Sequence, residues 1–329
     1  MAPMKPAPIS WIALLFLSVV LSSMAAAAEE KPSWAERLGW PPGSRLIILH
    51  VDDAGMSHDS NVGTIEAMEK GIASSTSVMM PCPWVPEMVQ YIKQHPGTDA
   101  GMHITLNSEW KLYRWAPLAG KSAVPGLTDG EGCLHADSMQ VVRSASPDEV
   151  EREIRAQLDR AVSMGFHPTH LDSHMGTVIL PPFFERYVKV ALETGIPLML
   201  PAGHMQYVGA RVSGLREQVM EAARRVWDAG LPLIDDILAE PTVGRDYNEM
   251  KSYLRERLRT MKPGITQVIV HCTRPSETFS FISNSGEKRL AELRMMMDPE
   301  VKAFLSEQGI ATTTWIELKK RRLQVRSSF

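Results

Sequence analysis

From Arg45 onward the chain alternates short apolar runs with stretches whose apolar residues recur every three or four positions. Residues 46–51 (LIILHV) form a nearly continuous apolar run, as a strand covered on both faces does. Residues 61–70 follow with helical spacing, Val62, Ile65, Ala67 and Met68 forming the expected apolar side and Gly71 the stop. Further strands are expected at 75–80, 99–106, 168–173, 197–200, 232–234, 267–271 and 311–315. Helices are expected between them at 85–95, 146–165, 182–194, 214–229, 248–261 and 288–308, with a short one in the basic tail. The clearest helix start is Ser146-Pro147-Asp148-Glu149: a capping hydroxyl, a proline at the first helical position and two acids at the positive end of the helix dipole. Alternating strands and helices predict a parallel sheet, and about eight strand signals fit a closed barrel better than an open sheet. The expected fold is α/β, a distorted (β/α) barrel of about seven to eight parallel strands, forming a single domain over residues 45–329.

Two stretches break the rhythm. Residues 107–146 are rich in Gly, Pro, Trp and Lys, and a stretch of this length without periodicity is expected to be functional. Its Trp110, Tyr113 and Trp115 suit either a sugar-stacking lid or a local mini-core. At the start, Lys5, the apolar run 11–21 and the small residues 25–28 form the pattern of a secretory signal peptide covering residues 1–28. The apolar run is short for a membrane span, so no stable span is expected after its removal, and the mature chain is expected to be periplasmic or secreted. Residues 29–44 then read as a linker.

Composition narrows the chemistry. The formal net charge of −3 supplies no basic field, which argues against a nucleic-acid partner. The cysteines, Cys82, Cys133 and Cys272, cannot all pair with one another and lack zinc-ribbon spacing, so they read as structural thiols.

The polar residues that remain fall at strand ends. Asp52 and Asp53 close the first strand, His103 lies near the end of the third, His170, Asp172 and His174 run through and beyond the fourth, and His271 closes the run 267–271. In a parallel barrel these positions meet at one face. Asp53, His103 and His174 supply one carboxylate and two imidazoles, a ligand set for Zn²⁺ or another divalent ion. Imidazole donors lean away from Mg²⁺ without choosing the ion. The adjacent carboxylates allow a division of labour, one on the metal and one accepting a proton from the attacking water, provided the chain turns near Gly55. His170, Asp172 and His174 share a face by the period of two, with His170 and Asp172 as supporting groups and Asp172 suited to orienting an imidazole. His271 suits a general acid or an oxyanion stabiliser. His50 and His58 stand close enough to replace a chosen ligand, whereas His95, His135, His167 and His204 read as surface or loop residues.

These pieces resemble the YdjC-like carbohydrate deacetylases, the group that includes chitooligosaccharide and hopanoid-associated deacetylases. The resemblance rests on 46–55 (LIILHVDDAG), 61–80 (NVGTIEAMEKGIASSTSVMM), 101–106 (GMHITL), 169–174 (THLDSH) and 268–271 (VIVH), in that order. It implies a distorted barrel that hydrolyses the acetamido group of an N-acetylated sugar or oligosaccharide, with Asp53, His103 and His174 on the metal and Asp52 as general base. Three positions depart from the family pattern: Ala54 for Phe, Met175-Gly176 where a further His is common, and Cys272 for Pro. The expected activity is therefore an exported, metal-dependent carbohydrate N-deacetylase. The rivals are a non-catalytic carbohydrate-binding barrel and a metallohydrolase acting on another bond such as a phosphoester, for which Lys111 and Arg274 are the nearby cations.

Overall fold

The apolar run at 46–51 becomes the central strand of a seven-stranded, all-parallel sheet in the computed structural model, which describes residues 31–210 and 213–325. The expected signal segment lies outside the described residues. The chain divides into two units, 1–32 and 33–329, and the second holds the whole sheet. Its strands are β1 (Arg45–Ala54), β2 (Ser75–Val78), β3 (Ala100–Ile104), β4 (Leu171–Ser173), β5 (Asp236–Leu238), β6 (Gly264–Val270) and β7 (Ile310–Thr312). Its helices are α1 (Trp34–Arg37), α2 (His58–Glu69), α3 (Val85–Gln94), α4 (Ser138–Ser144), α5 (Pro147–Ser163), α6 (Phe184–Thr194), α7 (Arg216–Asp228), α8 (Tyr247–Arg259), α9 (Gly286–Met297), α10 (Pro299–Glu307) and α11 (Trp315–Gln324).

The sheet order is β4-β3-β2-β1-β6-β5. One edge of β1 pairs with β6 from Arg45 to Val51. Its other edge takes β7 at its start, Arg45 to Ile47, and β2 at its end, from His50. Backbone bonds carry the pairing beyond β4: Met199 N to Leu171 O at 2.8 Å, Ala202 N to Ile234 O at 2.9 Å and Asp235 N to Ile265 O at 2.8 Å. The ring closes as a distorted barrel. The strands expected at 197–200 and 232–234 are reduced to single bridges, Leu171 to Leu198 and Pro201 to Ile234.

Alternation along β1 divides its side chains between two environments. Ile47, Leu49 and Val51 pack under α8, α9 and α10 with Leu254, Leu258, Val268, Met295 and Phe304. Burying each such aliphatic side chain contributes roughly 1.5–3 kcal/mol. His50 and Asp52 occupy the alternate, inward positions.

Several expectations are corrected by packing. Helix α2 buries Asp59, Ser60, Asn61, Gly63, Thr64 and Ala67, whereas Val62, Ile65 and Met68 are only half-buried. Its inner face is polar because it braces a loop: Asp59 Oδ1 accepts Ser276 N at 2.6 Å, and the Ser60 and Thr273 hydroxyls lie 3.3 Å apart. The helix expected at 288–308 is two helices, since Asp298 caps the second and Pro299 cannot continue the first. Trp315 opens α11 rather than closing a strand. From Ser33 the expected linker is packed onto the barrel, with Trp34, Ala35 and Leu38 buried. Residues 107–146 form an ordered mini-core around buried Trp115, Val124, Leu127 and Leu134. The predicted helix start holds, because Ser146 and Glu149 form a reciprocal capping box.

Candidate metal centre

A register irregularity near the end of β1, between Val51 and Ala54, brings both carboxylates of Asp52-Asp53 to the same site. Strict alternation would point Asp53 outward. Instead its φ is +66°, in the left-handed region that a non-glycine residue seldom adopts. Such a conformation costs about 1–3 kcal/mol and persists where the surroundings over-determine it. Here Gly55, at φ +81°, donates its N–H to Asn61 Oδ1 at 2.6 Å and pins the turn to α2.

Asp53, His103 and His174 converge. Asp53 Oδ1 lies 3.5 Å from His103 Nε2 and 3.3 Å from His174 Nδ1. One ligand atom from each of the three lies within 4.8 Å of the others, and all three residues are buried. Arg289, on α9, donates to Asp53 Oδ2 at 2.7 Å and leaves Oδ1 facing the imidazoles. Asp52 Oδ2 stands 3.7 Å from His103 Nε2. Oδ1 of Asp52 and Oδ1 of Asp53 are both buried and have no hydrogen-bond partner. Although His50 Nε2 lies 3.2 Å from Asp52 Oδ1, it is closer, at 2.9 Å, to Asp172, and its single N–H bonds there.

Asp172 orders the layer beneath. It accepts from His103 Nδ1 at 2.8 Å and from His50 Nε2 at 2.9 Å. Because a carboxylate only accepts, a neutral, ligating His103 carries its proton on Nδ1 and offers Nε2, on the side of Asp53, as the ligand nitrogen. The other ligand histidine also has a carboxylate neighbour, Glu109 Oε2, 3.1 Å from His174 Nε2.

Charge pairing overrides burial at Asp53 and at the histidines around it. Burial alone would raise the pKa of Asp53, but Arg289 and the two histidines hold it well below the usual carboxylate range. Burial works against the imidazolium of His103, yet Asp172 and Asp52 push its pKa well above the ordinary value. Against the same burial penalty, Asp172 and Asp52 raise His50 to about 9, and Glu109 and Asp53 raise His174 to about 9. Asp53 Oδ1, buried and without a hydrogen-bond partner, faces both imidazoles, an arrangement that suits a divalent cation. The donor set of one carboxylate and two imidazoles fits such a cation.

The remaining expected residues are placed elsewhere. His170 belongs to the layer below: its ring stacks on Trp315 at 5.2 Å and 20°, and its Nδ1 meets Thr169 Oγ1 at 2.9 Å. A Cβ on Gly101 would come within 2.4 Å of His170 Nε2, so that glycine makes room for the ring. Burial, then His50, hold His170 well below the usual imidazole pKa, as for a core histidine. His271 follows Val270, which pairs with Val51, so it reaches the level of Asp52 in the sheet. Its Nδ1 lies 3.5 Å from Glu292 Oε2, and its ring is about one-third exposed at 33%. His58 is exposed and bonds Glu87 at 2.8 Å. Arg274 bonds Glu66 rather than turning into the centre, and Lys111 is exposed. Arg289, Glu109 and the His50–Asp172 bond were not predicted. Of these only His50 carried a signal, since it stands two residues before Asp52 on the same face.

The sequence profile described as "YdjC-like protein" matches residues 46–307. The chain belongs to the YdjC-like family. It is 28% identical over 272 residues to a carbohydrate deacetylase of Brevibacillus brevis, covering 83% of this chain and 99% of that protein. It is 27% identical over 274 residues to a chitooligosaccharide deacetylase of Yersinia enterocolitica, covering 80% and 96%. A carbohydrate deacetylase of Thermus thermophilus is 39% identical over 157 residues, which cover 47% of this chain and 53% of that protein. Among solved structures, a protein of Enterococcus faecalis V583 assigned by name to cellobiose-phosphate cleavage shares the fold, with a TM-score of 0.70 at 20% identity, covering 84% of this chain and 99% of that one.

Proposed function

We propose that this YdjC-like protein is a metal-dependent carbohydrate N-deacetylase, hydrolysing the acetamide of an N-acetylated sugar or oligosaccharide to acetate and a free amine. The observation that carries the reading is the convergence of Asp53, His103 and His174 around a buried, unpartnered Asp53 Oδ1. The curated relatives, named carbohydrate and chitooligosaccharide deacetylases, supply the substrate class. We also read residues 1–28 as an export signal, so that the enzyme meets its sugar in the periplasm or outside the cell.

Asp53, His103 and His174 would hold the ion, and Arg289 keeps Asp53 oriented by holding its second oxygen. When bound, a divalent ion supplies Lewis acidity toward a carbonyl and acidifies water. Asp52, whose Oδ2 stands 3.7 Å from His103 Nε2, accepts the proton of the attacking water. Asp172 keeps His103 in the tautomer that turns Nε2 to the centre. His271, at the level of Asp52 and backed by Glu292, delivers a proton to the departing nitrogen as the C–N bond breaks.

A non-catalytic barrel would let the two histidines diverge, but their ring centroids lie 5.3 Å apart around one carboxylate oxygen. Basic side chains turned into the centre would favour a phosphoesterase, whereas Arg289 and Arg274 are engaged by Asp53 and Glu66. The test is acetate release from a panel of N-acetylated sugars. We expect release that chelator abolishes and Asp53→Ala removes; release unchanged by either would reject the proposal.

A further inference from the structure

The ordered insertion after β3 reaches the metal centre. Glu109 Oε2 lies 3.1 Å from His174 Nε2, and the Glu109 side chain is only 21% exposed. A carboxylate accepts, so in the neutral ring that a metal ligand must be this contact favours the proton on Nε2 and leaves Nδ1, 3.3 Å from Asp53, as the ligand nitrogen. It is the counterpart of the bond from His103 to Asp172, with the nitrogens exchanged: His103 presents Nε2 and His174 presents Nδ1.

Glu109 is held in place by its neighbours. Asn107 Oδ1 accepts the Thr177 hydroxyl, and Asn107 O accepts Trp115 Nε1 at 2.8 Å. Ser108 Oγ accepts Trp115 N and Arg114 Nε, each at 3.1 Å. The insertion grips the chain on both sides of the centre: the Tyr113 hydroxyl donates to Met56 O, beyond Asp53, and the Ser138 hydroxyl lies 2.7 Å from Thr177 Oγ1, beyond His174. His174 itself precedes two residues of positive φ, Met175 at +54° and Gly176 at +70°, a local shape that a loose loop would not hold.

We propose that Glu109 is a positioning residue of the metal centre, selecting the His174 tautomer and thereby making the 107–146 insertion part of the ligand scaffold. This role rests on the metal-dependent reading of the site. Outer carboxylates on ligand histidines typically change metal affinity by about 10–100-fold.

The test uses the full chain stripped of metal, with Zn²⁺ affinity measured by competition against a chromophoric chelator. Glu109→Ala should weaken binding by about 10–100-fold, while Glu109→Gln, whose amide oxygen still accepts from Nε2–H, should stay within about threefold of the unsubstituted protein. Equal affinity of Glu109→Ala and the unsubstituted protein overturns the proposal, as does a Gln variant as weak as Ala. Should Glu109→Ala not fold, the tautomer is read on the unsubstituted Zn²⁺-loaded protein by nitrogen-15 NMR. A proton on Nε2 of His174 supports the assignment, and one on Nδ1 overturns it. If the unsubstituted protein binds no Zn²⁺, the function reading falls too; if it binds Zn²⁺ and Glu109 is indifferent, only this inference falls.

Discussion

Both ends of the barrel bury an aspartate, and the two are treated in opposite ways. At the end where strands begin, Asp235 is 1% exposed, accepts Trp34 N at 3.0 and 3.1 Å through its two oxygens, and takes Ile265 N at 2.8 Å. At the end where strands finish, Asp53 is equally buried at 1%, yet its neighbours are an arginine and two imidazoles, and Oδ1 keeps no hydrogen bond. Asp235 ties α1 and β6 to the barrel with backbone donors. Asp53 sits in a strained backbone conformation among groups that are themselves charged. The contrast teaches that burial alone does not mark a site. A buried carboxylate whose oxygens are filled by backbone N–H groups holds the chain, and one left with an empty oxygen beside other ligands calls for an ion or substrate.

Substitutions at the two ends should therefore separate activity from stability. The largest effect is expected for Asp53→Ala or His103→Ala: loss of bound metal and a fall in kcat/KM of about a thousandfold or more, since the metal contributes several kcal/mol to the transition state. Asp52→Asn should keep the metal and lower kcat by about 10²–10⁴-fold, the range of a general base. Metal content and steady-state kinetics on the same preparations check both. Asp235→Ala should do the reverse, costing about 2–5 kcal/mol in denaturant unfolding because buried N–H groups lose their acceptor, with kcat/KM of the folded fraction unchanged. A drop in kcat/KM as large as that of Asp52→Asn would break the contrast.

The smallest effect is in pH. Burial outweighs the donated N–H groups and raises Asp235 to about 6 from an ordinary 3.8. The folded chain therefore holds this proton more tightly than the unfolded chain. Its stabilising contribution is complete below pH about 4 and is lost as pH rises through about 6, amounting to about 3 kcal/mol at most. Unfolding curves between pH 4 and 7 should show the gap between the unsubstituted protein and Asp235→Ala narrowing with rising pH; a gap that widens contradicts it.

How much of this was legible depended on whether the signal was local. The run 46–51 declared a strand covered on both sides, and the strand-end rule gathered Asp53, His103 and His174 from three separate segments. The split between α9 and α10 was also written locally, in Asp298-Pro299, but the helical period on either side overrode it. The polar face of α2 was misread because periodicity scores apolar residues, whereas this helix buries Asp59 and Asn61 to brace loops. Arg289 lies 236 positions from Asp53, and no spacing rule joins them. Glu109 sits in an aperiodic insertion whose course is set by capping and loop bonds, such as Ser108 with Trp115, that pattern reading does not capture.

The central claim is that the end of the barrel where strands finish is a one-ion hydrolytic centre. Its most direct test is acetate release from N-acetylated chitooligosaccharides by chelator-treated protein as a divalent ion is titrated back. Release should start from baseline, rise to a plateau at one ion per chain, and stay at baseline for His103→Ala. Release that persists in chelator, or a His103→Ala protein restored like the unsubstituted one, would contradict the account.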